Sequence, residues 1–149
     1  MKKAILICLL AAFSIAAQAQ RLNPVKWTFE SVKKADKQYD IVLTATVDAP
    51  WHIYSQTVKK GPIPTTITFK PNPLVKLSGG TKEIGKLESN FDKNFDAIIG
   101  SYAGKVQFKQ SIVLKAASKT KLTGSIEYMV CNDEKCLPPV SIPFEVTIQ

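Results

Sequence analysis

The sequence contains few of the residues on which most catalytic sites depend. His52 is the only histidine among the 149 residues, and it stands between large apolar residues in the stretch WHIY. A nucleophilic cysteine needs a histidine within hydrogen-bond reach, and a structural zinc site usually has four ligands. The chain also has no glycine-rich phosphate-binding motif and no convincing pair of catalytic carboxylates. We therefore predict no metal site and no cofactor, and we interpret His52 as a structural residue.

The sequence also has no basic helix and no ladder of alternating basic and aromatic residues. Its formal net charge is +8, but the lysines are scattered along the predicted strands and turns. A nucleic-acid surface would concentrate them on one face or along one helix. We interpret the lysines as a solvated surface and expect no nucleic-acid partner.

The one long apolar run stands at the start of the chain. A positively charged start precedes the run at residues 4–17, and Ala17-Gln18-Ala19 fits the small-x-small rule for signal-peptide cleavage. The run is too short for a membrane span, which needs about twenty apolar residues. We predict a signal peptide over residues 1–19, with Cys8 as a passenger in it. Residues 20–149 then form one exported domain.

Alternation of apolar and polar residues dominates the remaining sequence. It is clearest in 39–47, 106–114 and Val140–Ile148, with Gln110 as an exception. A period of two is typical of strands that bury one face. Shorter candidate strands are 25–31, 51–55, 65–70, 74–77, 84–87 and 122–130. Seven to nine strands predict an all-β fold, an immunoglobulin-like antiparallel β-sandwich, with a small closed barrel as the alternative.

The longest stretch without clean alternation covers residues 88–104. It holds aromatic residues in a polar context, which is typical of a functional loop lying on the domain. The alternative is an ordinary long connection in which Phe91 and Phe95 plug the edge of the core. The residues alone leave these two interpretations open.

Cys131 and Cys136 flank a four-residue segment that suits a hairpin loop. Val130 shares the apolar face of its strand, so Cys131 falls on the opposite, less apolar face or at the rim. The Cα atoms of opposed residues in an antiparallel pair of strands are about 4.5–5.5 Å apart, which is within the Cα–Cα range of disulfides. A regular hairpin would place Ser141 opposite Ile126, although the apolar positions call for Ile142. We therefore predict a register shift of one residue at Pro138-Pro139, because proline cannot donate to a strand ladder.

The two cysteines can form a structural staple, a redox-active pair or part of a zinc site. A bridge that closes so short a loop adds only about 2 kcal/mol to stability, and local bridges near a surface are often the exchanging kind. These arguments favour the redox-active pair. Lys135 favours a thiolate at Cys136, which makes Cys136 the exchanging residue and Cys131 the resolving one. Asp133 and Glu134 oppose thiolate formation.

Four stretches of the chain match one known family: WHIYSQ (51–56), GPIPTTITF (61–69), FDKNFD (91–96) and VCNDEKCLPP (130–139). With these motifs the sequence resembles the N-terminal periplasmic domain of the thiol:disulfide interchange protein DsbD. The last motif is the most specific. The resemblance implies an immunoglobulin-like fold in which Cys131 and Cys136 are the catalytic, redox-active pair.

The resemblance also implies how such a domain works. It takes electrons from a membrane-embedded thiol donor and passes them to thioredoxin-fold proteins in the periplasm, for disulfide reduction or isomerisation or for cytochrome c maturation. Phe95 matches the cap-loop residue that shields the cysteines, and Cys136 matches the one that forms the mixed disulfide. Here four residues separate the cysteines instead of the familiar five, and Lys93-Asn94 replace an acidic pair.

We therefore expect a free-standing, monomeric thiol:disulfide oxidoreductase in the periplasm. The alternative is a secreted immunoglobulin-like binding module whose local disulfide is structural.

Overall fold

The computed structural model describes residues 22–149, so the expected signal peptide at residues 1–19 and Cys8 lie outside the described residues. Eleven strands make up the regular structure of this part of the chain: β1 (Val25–Ala35), β2 (Gln38–Val47), β3 (His52–Tyr54), β4 (Thr66–Phe69), β5 (Val75–Gly85), β6 (Glu88–Asp92), β7 (Ala97–Tyr102), β8 (Gly104–Leu114), β9 (Thr120–Tyr128), β10 (Val130–Cys131) and β11 (Val140–Ile148). Among residues 22–149 no helix is long and apolar enough to cross a membrane.

The strands form an antiparallel β-sandwich of the immunoglobulin-like kind, as the alternation predicted. One sheet has the order β1-β2-β8-β5, and two smaller sheets have the orders β11-β9-β4 and β10-β3-β7-β6. Only Met129 separates β9 from β10, so one continuous stretch of chain runs from one small sheet into the other. That junction is where the cysteines lie.

The core forms where the apolar faces of the strands meet. Ile41, Leu43 and Phe108 from the first sheet are fully buried, and they share one cluster with Ile126 and Ile148 from the opposite sheet. The apolar residues of the strongest alternation thus form the core, because residues two apart on a strand point to the same side of the sheet. The predicted strands at 39–47, 106–114 and Val140–Ile148 correspond to β2, β8 and β11.

The polar exception in this pattern, Gln110, is buried for a structural reason. The pairing of β5 with β8 shifts between Ser78 and Lys82. The Gln110 side chain donates to the carbonyl oxygens of Ser78 and Gly79, each at 3.2 Å, and accepts a 3.1 Å hydrogen bond from Thr81 Oγ1. Gln110 therefore satisfies the backbone groups that the bulge leaves unpaired.

Two expectations about the middle of the chain were wrong. The separate strand expected at 84–87 does not exist, because β5 continues across the bulge to Gly85. The expected long loop at 88–104 is a β-hairpin in which β6 pairs with β7. Phe91 does not plug the core, since it is 60% exposed.

Candidate functional site

Cys131 and Cys136 form a disulfide at one end of the sandwich. Their Cα atoms are 4.0 Å apart, and the two residues face each other in an isolated antiparallel bridge. Within the loop between them, Asn132 Oδ1 accepts hydrogen bonds from the backbone N–H groups of Glu134 at 3.0 Å and Lys135 at 2.8 Å. The four-residue hairpin loop expected from the sequence is therefore present, and the Asn132 side chain fixes its shape.

The register shift expected at the two prolines is present as well. Leu137 N donates to Val130 O at 2.9 Å, whereas Val140 already pairs with Tyr128. Two prolines, 138 and 139, therefore stand opposite Met129 alone. This bulge brings Ile142 opposite Ile126, so the apolar side chains of β11 stay in the core while the cysteines face away from it.

The two cysteines differ in their exposure to solvent. Cys131 is 0% exposed, whereas Cys136 is only partly buried. Cys131 lies on the face opposite Val130, as expected, and it is buried there although the disulfide stands at one end of the sandwich. A second, smaller apolar cluster covers it: Tyr54, Ile99 and Cys131 form its buried part, and Val58, Phe95, Ala97, Met129 and Cys136 pack around them.

Phe95 reaches this cluster from the turn of residues 93–96 between β6 and β7, which we call the cap turn. Phe95 N donates to Asp92 O at 3.3 Å, and Asn94 N donates to Asp92 Oδ1 at 2.8 Å. The Asn94 side chain donates to Asn132 O at 3.1 Å, which ties the cap turn to the cysteine hairpin. The structure thus brings all three predicted site residues, Cys131, Cys136 and Phe95, into one cluster.

A polar network underlies the cap turn. The Tyr54 hydroxyl donates to Asp92 Oδ2 at 2.5 Å, and His52 Nε2 lies 3.3 Å from the Tyr54 oxygen and 3.6 Å from Asp92 Oδ2. Burial and the neighbouring Asp92 carboxylate raise the pKa of Tyr54. Burial raises the pKa of Asp92, but the hydrogen bonds from Tyr54 and Asn94 and the nearby His52 outweigh it and hold that pKa below its usual value.

Sequence reasoning did not identify Tyr54 and Asp92 as parts of the site. Both lie in quoted motifs, Tyr54 in WHIYSQ and Asp92 in FDKNFD, so a signal was present. Asp92 also lines a cavity of about 290 Å³, together with His52, Asn94 and Asn132. The cap turn and the cysteine hairpin therefore both border this cavity, through Asn94 and Asn132.

Comparison with known proteins identifies one matching family and several similar solved structures. The family model for the N-terminal domain of the thiol:disulfide interchange protein DsbD matches residues 18–147. The N-terminal periplasmic domain of ScsB from Proteus mirabilis is similar in structure, with a TM-score of 0.50 and 15% identity over 83% of this chain and 44% of that chain. The reduced N-terminal domain of DsbD from Neisseria meningitidis gives a TM-score of 0.48 and 15% identity over 81% of this chain and 84% of that chain. No curated protein matches the chain significantly.

Proposed function

The chain belongs to the family of the N-terminal domain of the thiol:disulfide interchange protein DsbD, and we propose that it is a thiol:disulfide oxidoreductase that relays electrons through Cys131 and Cys136. One observation carries the proposal. The disulfide joins residues only five apart, and a side chain from a surface turn packs against it. A bridge over so short a loop contributes about 2 kcal/mol to stability, so its position suits exchange better than it suits stapling the core.

The unequal exposure of the two cysteines supports separate roles. An incoming thiolate meets the partly exposed Cys136 more readily than Cys131, which is 0% exposed. Lys135 precedes Cys136 and favours its thiolate form, although Asp133 and Glu134 oppose it. Cys136 is therefore the exchanging residue and Cys131 the resolving one.

The exchange proceeds in two balanced steps. A thiolate of the electron donor attacks Cys136 Sγ, the Cys131–Cys136 bond breaks, and Cys131 leaves as a thiolate that takes up a proton. The donor's second thiolate then attacks the donor's first sulfur, which is bonded to Cys136 in the mixed disulfide. Cys136 leaves as a thiolate and takes up a proton. The donor is left with a disulfide and this chain with two thiols, after the transfer of two electrons. The reduced pair passes the electrons on by the reverse chemistry, with Cys136 attacking the acceptor's disulfide.

Membership of the family supports partners that exchange thiols and disulfides. We propose that the donor is a membrane-embedded thiol protein, and that the acceptors are periplasmic thioredoxin-fold proteins that reduce or isomerise disulfides or serve cytochrome c maturation. We propose that residues 1–19 direct export, that residues 20–149 act as one monomeric domain in the periplasm, and that Phe95 covers the sulfurs until a partner docks.

Partner trapping tests this function. A Cys131→Ser variant should accumulate mixed disulfides with thioredoxin-fold proteins through Cys136, because the resolving thiol is gone. The matched Cys136→Ser variant keeps only the buried Cys131 and should accumulate far fewer. A Cys131→Ser trap that stays empty in periplasmic extract would count against the relay.

The reduction potential separates the relay from a binding module with a structural disulfide. Equilibration with a glutathione or dithiothreitol series gives the potential. A relay should lie within the range of the periplasmic exchange proteins, whereas a value well below about −300 mV is typical of an inert structural bridge.

A further inference from the structure

The loop between β3 and β4, residues 55–65, packs against the same cluster of buried residues as the cap turn. Val58 packs on the cluster of Tyr54, Ile99 and Cys131. Gly61 lies so close to the cap that a Cβ atom there would be 3.2 Å from Ile99 Cδ1 and 3.8 Å from the Cβ and Cδ1 atoms of Phe95. The β3–β4 loop therefore contacts both the cysteine cluster and the cap residue.

The carboxylate of Glu83, from the opposite sheet, holds the start of this loop. Glu83 Oε1 accepts a hydrogen bond from Gln56 N at 2.6 Å, and Glu83 Oε2 accepts one from Ser55 Oγ at 2.8 Å. The Tyr102 hydroxyl also donates to Glu83 Oε2, at 2.9 Å. Ser55 O in turn accepts from Val58 N at 3.3 Å. A single partly buried carboxylate thus fixes the backbone from which Val58 projects.

The bulge in β5 places Glu83 next to the loop. The pairing with β8 shifts between Ser78 and Lys82, and Glu83 then pairs with the core residue Phe108. Glu83 therefore lies on the inward side of the sheet, where burial disfavours a charge unless it is hydrogen-bonded. Its partners all belong to β7 and the β3–β4 loop. Gln56 Nε2 adds a 3.4 Å contact to Thr81 O within the bulge.

We propose that the cover over the disulfide has two halves, Phe95 on the cap turn and Val58 on the β3–β4 loop, and that Glu83 is the positioning residue that keeps the second half closed. This inference rests on the proposed thiol–disulfide exchange. In this proposal a thiol that approaches Cys136 must displace Phe95 and also pass Val58. The loop therefore limits how fast partners gain access, and Glu83 acts on the rate through the loop without touching the sulfurs.

The rate of reduction of the Cys131–Cys136 disulfide by dithiothreitol tests the inference in the purified protein. Val58→Ala and Glu83→Ala should each raise the rate constant roughly three- to tenfold, the change expected when contacts or hydrogen bonds of ordinary net strength are lost. Val32→Ala, on β1, and Glu145→Ala, on β11, are matched controls that should leave it unchanged. The equilibrium reduction potential should stay constant, because the proposed cover acts on access to the sulfurs and not on the relative stability of the oxidised and reduced pair.

Double substitutions separate a shared mechanism from general loosening. Val58→Ala should raise the reduction rate little further in the Glu83→Ala background, because both substitutions act on one loop. The rate increases caused by Val58→Ala and Phe95→Ala should instead multiply in the double variant. A lower urea midpoint with unchanged reduction rates would show that Glu83 is merely structural and would overturn the proposal. Val58→Ala alone decides the matter if Glu83→Ala fails to fold.

Exchange with reduced thioredoxin, measured on the same samples, keeps this inference distinct from the proposed function. If thioredoxin does not exchange with any variant while dithiothreitol rates respond as expected, the cover is real and the relay is wrong. If thioredoxin exchanges but neither substitution changes the rates, the relay stands and the second half of the cover is wrong.

Discussion

The ring of Phe95 meets the ring of Tyr54 edge-on, with centroids 6.0 Å apart and planes at 88°. This is the edge-to-face geometry that aromatic pairs prefer. Tyr54 is 0% exposed, and its hydroxyl is held by Asp92 at 2.5 Å. The Phe95 ring thus packs against a buried and hydrogen-bonded tyrosine, while the Phe95 backbone belongs to a surface turn. A side chain held in this way can leave without disturbing the core.

Replacing Phe95 with alanine should expose the thiols of the reduced protein. The edge-to-face pair is worth about 0.5–1.5 kcal/mol, so we expect iodoacetamide to alkylate Cys136 about two- to tenfold faster in Phe95→Ala. Phe91→Ala is the matched control, since Phe91 lies on the neighbouring strand and is 60% exposed. Equal rates in the two variants would remove Phe95 from the mechanism.

Reduction of the disulfide should weaken the domain only slightly. The chain-entropy relation gives about 2 kcal/mol for so short a loop, and the main core cluster includes neither cysteine. We expect urea unfolding of the reduced protein to remain cooperative, with the free energy of unfolding lower by about that amount. Loss of the folded state on reduction would instead identify the bridge as a structural staple.

The fold could be predicted from the sequence wherever one face of a strand is apolar. β2, β8 and β11 followed directly, and the conflict between the cysteine pair and Ile142 revealed the bulge at the two prolines. The β6–β7 hairpin was missed because its paired side chains Phe91 and Ile98 are apolar yet 60% and 75% exposed. Alternation identifies a strand only where its apolar side chains are buried, so a strand pair with exposed apolar side chains escapes it.

The candidate site could be predicted only where a residue's own chemistry or a family motif identifies it. Two cysteines and a matched phenylalanine can be found in a sequence, but the Tyr54–Asp92 hydrogen bond joins residues 38 positions apart. Glu83 reaches Ser55 across 28 positions, and it does so because of a bulge that Gln110 supports. Contacts of this kind depend on how the sheets pack, so no local pattern shows them.

Gly124 should be the most sensitive glycine of the described part of the sandwich. A Cβ atom there would lie 2.2 Å from Thr68 O and 2.5 Å from Phe144 Cζ, because β9 passes closely between β4 and β11. Overpacking of a tight site costs about 1–3 kcal/mol and sometimes more, so Gly124→Ala should lower the free energy of unfolding by about 3 kcal/mol.

Gly80 provides the matched control for this substitution. A Cβ atom at Gly80 would meet nothing within 4 Å, so Gly80→Ala should leave stability unchanged or raise it by less than about 1 kcal/mol. Urea unfolding of both variants gives the comparison. A Gly124→Ala protein as stable as the Gly80→Ala protein would show that β4 and β9 do not approach so closely.

Acid should loosen the cap because it discharges Asp92. Burial raises the pKa of Asp92 in the folded protein, but the hydrogen bonds from Tyr54 and Asn94 and the nearby His52 outweigh burial and hold the pKa below its usual value. A carboxylate with a depressed folded pKa stabilises the fold fully above its unfolded pKa, and that stabilisation disappears as the pH falls through the folded pKa. The cap turn, which Asp92 holds through Asn94 and Tyr54, should therefore begin to loosen below about pH 4 and loosen further as the pH falls through the folded pKa.

A phosphine reductant, which remains active in acid, can measure this opening. Its rate with the chain, normalised to its rate with oxidised glutathione, should rise about tenfold or more as the pH falls from 6 through the folded pKa of Asp92, as expected for the loss of a hydrogen bond to a charged group. Asp92→Asn should react fast throughout this pH range. Asp40 is the control, because a hydrogen bond from Ser111 and the nearby Lys109 also lower its pKa, but it lies on β2, away from the cysteines. If Asp40→Asn abolishes the acid response and Asp92→Asn does not, the response comes from general acid unfolding and not from the cap.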